Sequence, residues 1–319
     1  MKKFIGHFIV FSFAFFALLF LLDRVVTRGL RKSQTSLHYN LNKIYNGEIN
    51  ADIVINGSSK ARMQISTRII DSILNVNSYN LGMRGAEFNP QNFQFKQYLK
   101  HNTKPKIVIQ VVSFGYLHKY EELISYEKFI PYLNKKEVRE LCKQYKGFTF
   151  LDYHVPFMKY AGQYDLIING LLNTIGVDRN KDTSYKGYSS QNKKWDATFE
   201  DFKKSNPDGF SVKMDSLYKT EFEKYITNCA TKNIKLYLVY PPTYHESKKY
   251  MHNRAEIITY YKNMANKYQI SFLDYSDNEL TLSKDNFYNS QHLNKKGAEI
   301  FTEILANNIN QINTPQIHE

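Results

Sequence analysis

Two stretches far apart in the chain carry residue types that could do chemistry. In "DIVINGSSKARMQIS" an apolar run stops at Asn56-Gly57, and Ser58 and Ser59 follow at the head of a helical pattern. Serines so placed either cap the helix, a role Ser fills well, or supply a hydroxyl nucleophile lifted off the end of a strand. In "DNFYNSQHLNKKGAEIFTEIL" a turn-rich stretch delivers His292 just before an amphipathic helix whose N-cap is Asn294. A serine hydroxyl is a poor nucleophile until a base takes its proton. A serine turn and a histidine held at a distant helix start are therefore what attack on an acyl carbonyl needs.

The elements that must position these residues are visible as short apolar runs alternating with helical patterns. "ADIVIN", "SYNLG", "KIVIQVV", "IKLYLVYPP" and "ISFLDYS" are apolar without polar alternation, which suits strands buried on both faces of a parallel sheet. Ile65, Ile69, Ile70, Ile73 and Leu74 form one helical stripe, and Phe301, Ile304, Leu305 and Ile309 another. The expected fold is α/β, a three-layer sandwich with a parallel sheet, whose ligands bind at the carboxyl ends of the strands. Ser59 falls at one such end. From 115 to 215 the sequence loosens into a Tyr-, Lys- and Asn-rich stretch, expected to be a cover insertion over that edge. Within it Asp178, Asn180 and Asp182 imitate a calcium loop but lack its glycine and bidentate glutamate, so no metal site is expected. Trp195, the lone tryptophan, has the type to stack on a sugar and is expected more in the core of the cover.

The chain opens "MKKFIGHFIVFSFAFFALLFLLDRVV", apolar from Phe4 to Leu22 and without a small-x-small cleavage site. That length matches a hydrocarbon core of roughly 30 Å and exceeds the apolar stretch of a cleaved signal. Residues 1–28 are expected to be an uncleaved transmembrane anchor meeting the lipid bilayer through 4–22. Residues 29–50 form a juxtamembrane linker, 51–312 the folded domain and 313–319 a tail. Lys2 and Lys3 on one side face Arg24, Arg28, Arg31 and Lys32 on the other, a count that alone keeps the body in the cytoplasm. The net charge of +13 attracts anionic partners, but no zinc-finger spacing, RNA-recognition signature or arginine-rich arm marks a nucleic-acid binder. With only Cys142 and Cys229 there is no disulfide framework. Cys229 shares a helical face with Phe222, Tyr225 and Ile226, which suits a buried apolar role.

From about Asp52 to Asn310 the chain resembles the SGNH/GDSL hydrolase superfamily, particularly its membrane-anchored envelope branch, the DltD-like and alginate O-acetylation proteins. "INGSSKA" is similar to the first motif, with Ser59 as nucleophile; "YNLGMRGA" to the second, with Gly85 offering a backbone donor; and "NSQHLNKKGA" to the last, with His292 as base. The resemblance implies a flavodoxin-like sheet and an oxyanion hole that includes the N–H groups of Ser59 and Gly85. It implies no cofactor, and an acyl esterase or O-acyltransferase acting on an envelope polysaccharide or its acyl donor. It also implies a single-pass inner-membrane protein with a periplasmic domain. The chain departs from the family twice: Asn289 stands for the triad's Asp, and Phe114 for the asparagine that supplies a third oxyanion donor. An Asn can orient an imidazole but cannot stabilise imidazolium as a carboxylate does, and Asp285 is a candidate substitute acid. A degenerate domain that only binds glycan is the alternative these departures leave open.

Overall fold

The structure is a computed structural model that describes residues 1–313, so the expected tail lies, apart from Asn313, outside the described residues. The protein is mixed α/β, with a five-stranded parallel sheet and an N-terminal apolar helix. Its contacts divide it into two units, Met1–Lys43 with Tyr120–Thr183, and Ile44–Lys119 with Ser184–Glu319. Of the 115–215 stretch, residues 120–183 are in the first unit and 184–215 in the sheet-bearing second.

In the second unit the five apolar runs are the five strands: β1 (Ile53–Asn56), β2 (Ser78–Asn80), β3 (Ile107–Val111), β4 (Lys235–Tyr240) and β5 (Ser271–Asp274). They pair in the order β2-β1-β3-β4-β5, all parallel. Alternation of side chains explains why the runs have no polar period. Ile53, Ile55, Ile109, Val111, Tyr237 and Val239 enter one core, shared with α3 (Ser59–Gln64), α4 (Thr67–Leu74) and α12 (Lys295–Asn313). Val54, Val108, Leu236 and Leu238 enter another, shared with α5 (Phe88–His101), α10 (Ser216–Thr231) and α11 (Arg254–Tyr268). With a core against each face, a side chain at either parity is buried, so both parities are mostly apolar, and the buried Asn56 and Gln110 satisfy one another, Asn56 Nδ2 donating to Gln110 Oε1 at 2.9 Å. Cys229 lies in the second of these cores beside Phe222, Tyr225 and Ile226, and both thiols are free and pushed up to about 12 by burial.

The stripe lies on α4 except for Ile65, which is the C-cap of α3. Tertiary partners hold the break between the two helices: the Asn80 side-chain amide donates to Ala61 O and Ile65 O, 2.7 and 3.0 Å away. The Ser66 amide meanwhile donates to the Thr302 hydroxyl of α12 at 3.0 Å. This anchors the short helix that begins with Ser59.

The first unit contains α1 (Lys2–Leu30), α6 (Lys136–Cys142), α7 (Phe150–His154) and α8 (Tyr164–Thr174). Its core gathers Val26, Leu30, Ile130, Tyr160 and Leu166. The preceding turns of α1 are exposed and apolar, with a mean hydropathy of 2.5 over their most apolar window, long and apolar enough to cross a membrane.

Candidate active site

The serine turn is built by three neighbouring residues with different jobs. Gly57 carries the chain from β1 into α3 so close to β3 that a Cβ on it would lie 2.7 Å from Ala61 Cβ and 2.8 Å from Val111 Cβ. Ser58 is extended and caps α3, its hydroxyl accepting from the Lys60 amide at 3.4 Å. Ser59, the first residue of the helix, is left with its hydroxyl free for another partner. That partner is His292: Ser59 Oγ and His292 Nε2 are 2.8 Å apart.

His292 reaches this position on a hairpin rather than an open loop. β6 (Phe287–Asn289) and β7 (His292–Leu293) pair antiparallel, and α12 follows at once. Asn294 secures the junction, accepting from the Gly297 amide at 3.0 Å and donating to the Asp285 carbonyl at 2.8 Å. The cap expected from sequence is thus in place, and the helix start holds the histidine.

Asn289 occupies the far side of the ring. Its Oδ1 accepts from the backbone amides of Gln291 and His292, each at 3.0 Å, and lies 3.0 Å from His292 Nδ1. Two N–H donors can be met only by the carbonyl oxygen of the side chain, so the amide has one orientation. The ring nitrogen facing it must then be the donor. His292 carries its proton on Nδ1 and presents a lone pair on Nε2 to the Ser59 hydroxyl, the tautomer a general base needs.

Asn289 supplies orientation without charge. Burial pushes the His292 imidazole down to about 3, the positive charges of Lys60 and Arg84 push the same way, and Asp196 opposes them. The Tyr288 ring stacks on the imidazole at 5.5 Å and 11°. Lys60, beside Ser59, is itself buried, which pushes it down to about 7. His292 is therefore neutral at every physiological pH, and its imidazolium form is disfavoured.

Asp285, weighed as a substitute acid, is exposed on the turn before β6. Its backbone holds that turn: the amide donates to Ser283 Oγ at 3.2 Å and the carbonyl accepts from Asn294. Gly85, like Arg84 before it, is exposed on an otherwise buried loop after β2, which the Met83 amide ties to the Gly57 carbonyl at 2.8 Å, setting the loop against the serine turn. Phe114, after β3, is turned into the core and meets the Phe210 ring edge-on at 5.5 Å. The Ser113 carbonyl is engaged by the Tyr261 hydroxyl at 3.1 Å.

The chain matches no protein-family model. Nor does it match any curated protein in sequence. The site is consequently judged on its own geometry.

Sequence reasoning missed Lys60, Tyr288 and Asp196 as neighbours of the histidine. Asp196 arrives on a strap that is tied by backbone bonds: Lys186 O to Asn80 N at 2.9 Å, Ser189 N to Arg62 O at 2.9 Å and Asp196 N to Tyr288 O at 2.8 Å. Each tie joins residues far apart in sequence, and no local pattern announces them. Tyr288 had no simple signal: Asn289 is the residue paired with His292, so regular alternation would turn Tyr288 to the other face, and the register irregularity between Phe287 and Asn289 accompanies its stacking on the ring. Trp195, also on the strap, packs edge-on against Tyr244 at 4.8 Å with the Lys284 ammonium 5.2 Å from its ring centre. Asp178 of the calcium-like spacing accepts from the Gln34 amide at 2.7 Å.

Proposed function

We propose that the protein is a membrane-anchored acyl esterase or O-acyltransferase of SGNH type, acting on an envelope polysaccharide or its acyl donor. The observation that carries this reading is the linear relay Ser59 Oγ, His292 Nε2, His292 Nδ1, Asn289 Oδ1, with distances of 2.8 and 3.0 Å at its two joints. Ser59 attacks the acyl carbonyl while its proton passes to His292 Nε2. The resemblance assigns the N–H groups of Ser59 and Gly85 to the developing oxyanion. His292 returns the proton to the departing alkoxide, leaving an acyl-serine, and then takes one from the water or sugar hydroxyl that removes the acyl group. The parallel strand order β2-β1-β3-β4-β5 supports a flavodoxin-like reading of the sheet and with it the superfamily assignment. α1 is long and apolar enough for a single pass, and the inner-membrane setting with the folded part on the periplasmic side is what the resemblance implies. A chromogenic acetyl ester turned over by the full-length protein and not by Ser59→Ala supports the mechanism; equal rates for both overturn it. An alkaline phosphatase fused after Glu319 is active in the proposed orientation and inactive in the opposite one.

A second reading is a domain that binds envelope glycan without turning it over. It is favoured by the uncharged Asn289 and by Phe114, which removes one oxyanion donor and with it roughly 2.7–4 kcal/mol of transition-state stabilisation. Glycan binding that survives both Ser59→Ala and His292→Ala, without turnover of any ester, is its signature.

A further inference from the structure

α8 carries apolar residues on two faces, and only one is covered. Leu166 and Gly170 face α1, where Gly170 and Gly29 let the helices touch: a Cβ on Gly170 would lie 2.7 Å from Val26 O, and one on Gly29 would meet Gly170 O and lie 2.8 Å from Thr174 Oγ1. Val26 opposes residue 170 and Gly29 opposes residue 174, so the two helices run in the same direction. Extrapolated back along both at about 1.5 Å per residue, Tyr164 stands level with the last turn of the apolar run of α1. The segment before α8 is held against α1 just past the end of that apolar run. The Phe157 amide donates to Asp23 at 2.9 Å, Lys159 pairs with Asp23 at 3.1 Å, and the Tyr160 hydroxyl bonds Thr27 at 2.7 Å.

The second face of α8 is Tyr164, Ile168, Leu171 and Ile175, one stripe at helical spacing. Tyr164 is 75% exposed and Ile168 44%, and the neighbouring α7 exposes Phe150 and Leu151. At the same level α1 exposes Leu21, and the Arg24 guanidinium folds back over the Phe20 ring at 4.9 Å. An apolar surface that continues from a membrane-crossing helix onto its neighbour, with a tyrosine and an arginine at the boundary, has the composition of a headgroup–acyl interface.

We propose that the start of α8, with Tyr164 and Ile168 at its centre, dips into the headgroup–acyl boundary beside the anchor. The protein then meets the bilayer through two elements, not one helix alone. The proposal rests on the reading of α1 as a membrane span. Because α8 rises with α1, immersion falls along the stripe: Ile175, eleven residues beyond Tyr164, stands about 16 Å farther out and is in water.

The test uses the full-length protein in nanodiscs of phosphatidylcholine and phosphatidylglycerol, with Trp195→Phe removing the native tryptophan. Tryptophan is introduced singly by Phe16→Trp, Tyr164→Trp, Ile168→Trp or Ile175→Trp, and fluorescence is compared in ordinary and acyl-brominated lipid. Quenching is expected to be strong for Phe16→Trp and Tyr164→Trp, intermediate for Ile168→Trp, and at Ile175→Trp less than about half of that at Tyr164→Trp. Quenching at Phe16→Trp without quenching at Tyr164→Trp overturns the proposal and leaves the anchor intact. No quenching at Phe16→Trp removes the anchor reading itself. Emission from Tyr164→Trp that shifts to the blue with protein density in the disc, but ignores brominated lipid, assigns the face to a second copy and also overturns the proposal.

Discussion

The turns that leave β1 and β3 emerge side by side at the same edge of the sheet, yet they are used in opposite ways. After β1 the chain turns on Gly57, spends Ser58 on the helix cap and frees the Ser59 hydroxyl for His292. After β3 it buries Phe114 against Phe210 and uses the Ser113 carbonyl to anchor Tyr261. One turn leaves a hydroxyl paired with His292 at the sheet edge; the other closes a core. Position at the carboxyl edge of a parallel sheet is thus an opportunity for chemistry that each turn takes or declines through its own side chains.

If the first turn is catalytic, its base should be the most sensitive position. His292→Ala is expected to lower ester hydrolysis by about 10²–10⁴-fold in steady-state assays, while thermal unfolding shifts little. A loss below tenfold would put the two turns in the same structural class. The second turn should show the reverse pattern. Phe114→Ala is expected to cost roughly 3 kcal/mol of folding stability, measured by denaturant unfolding, with a smaller change in the rate of the folded fraction. A fall in rate without a fall in stability would mean that Phe114 touches substrate.

The third position tests what charge adds to a site already correctly oriented. Asn289→Asp keeps an acceptor for the Gln291 and His292 amides and places a carboxylate at Nδ1, which favours imidazolium in the transition state. Hydrolysis is expected to rise at least about tenfold, a conservative part of the range known for the converse change in a serine protease. The pH profile should move with it. With Asn289, His292 is depressed to about 3, so its neutral, proton-accepting form persists as pH falls and the acid limb of kcat/KM lies far below the ordinary histidine value. The added carboxylate raises that pKa, so the acid limb of Asn289→Asp should move to higher pH even as the plateau rises. An unmoved limb would show that a different group limits the rate. The smallest effect is expected at Asp285: since its backbone does the structural work, Asp285→Ala should change the rate by less than about twofold, within the range of surface substitutions. A steep fall there would make it the missing acid.

The strands were legible because burial on both sheet faces leaves an unbroken apolar run, as in "IVIN" of β1 and "KLYLVY" of β4. The pairing of Ser59 with His292 was legible from chemistry, since each sits at a helix start that local residues define. What the sequence did not disclose depends on long-range partners. The end of α3 at Ile65 follows from Asn80 and Thr302, the strap that carries Asp196 is held by backbone bonds to three distant segments, and neither leaves a periodic trace. The orientation of the Asn289 amide was hidden for a subtler reason. Residue type alone allows either face of its amide toward the imidazole, and only the Gln291 and His292 amides decide it.

The central claim is that Ser59 is a nucleophile activated by an uncharged His–Asn pair. A fluorophosphonate probe tests it directly, because the serine oxygen displaces fluoride and keeps the phosphonyl group, whatever the natural acyl substrate is. Intact-mass and peptide mass spectrometry of the full-length protein should show one adduct, on the peptide containing Ser59, absent in Ser59→Ala and formed faster in Asn289→Asp. An adduct on another residue, or none under conditions that label a reference serine esterase, would contradict the account.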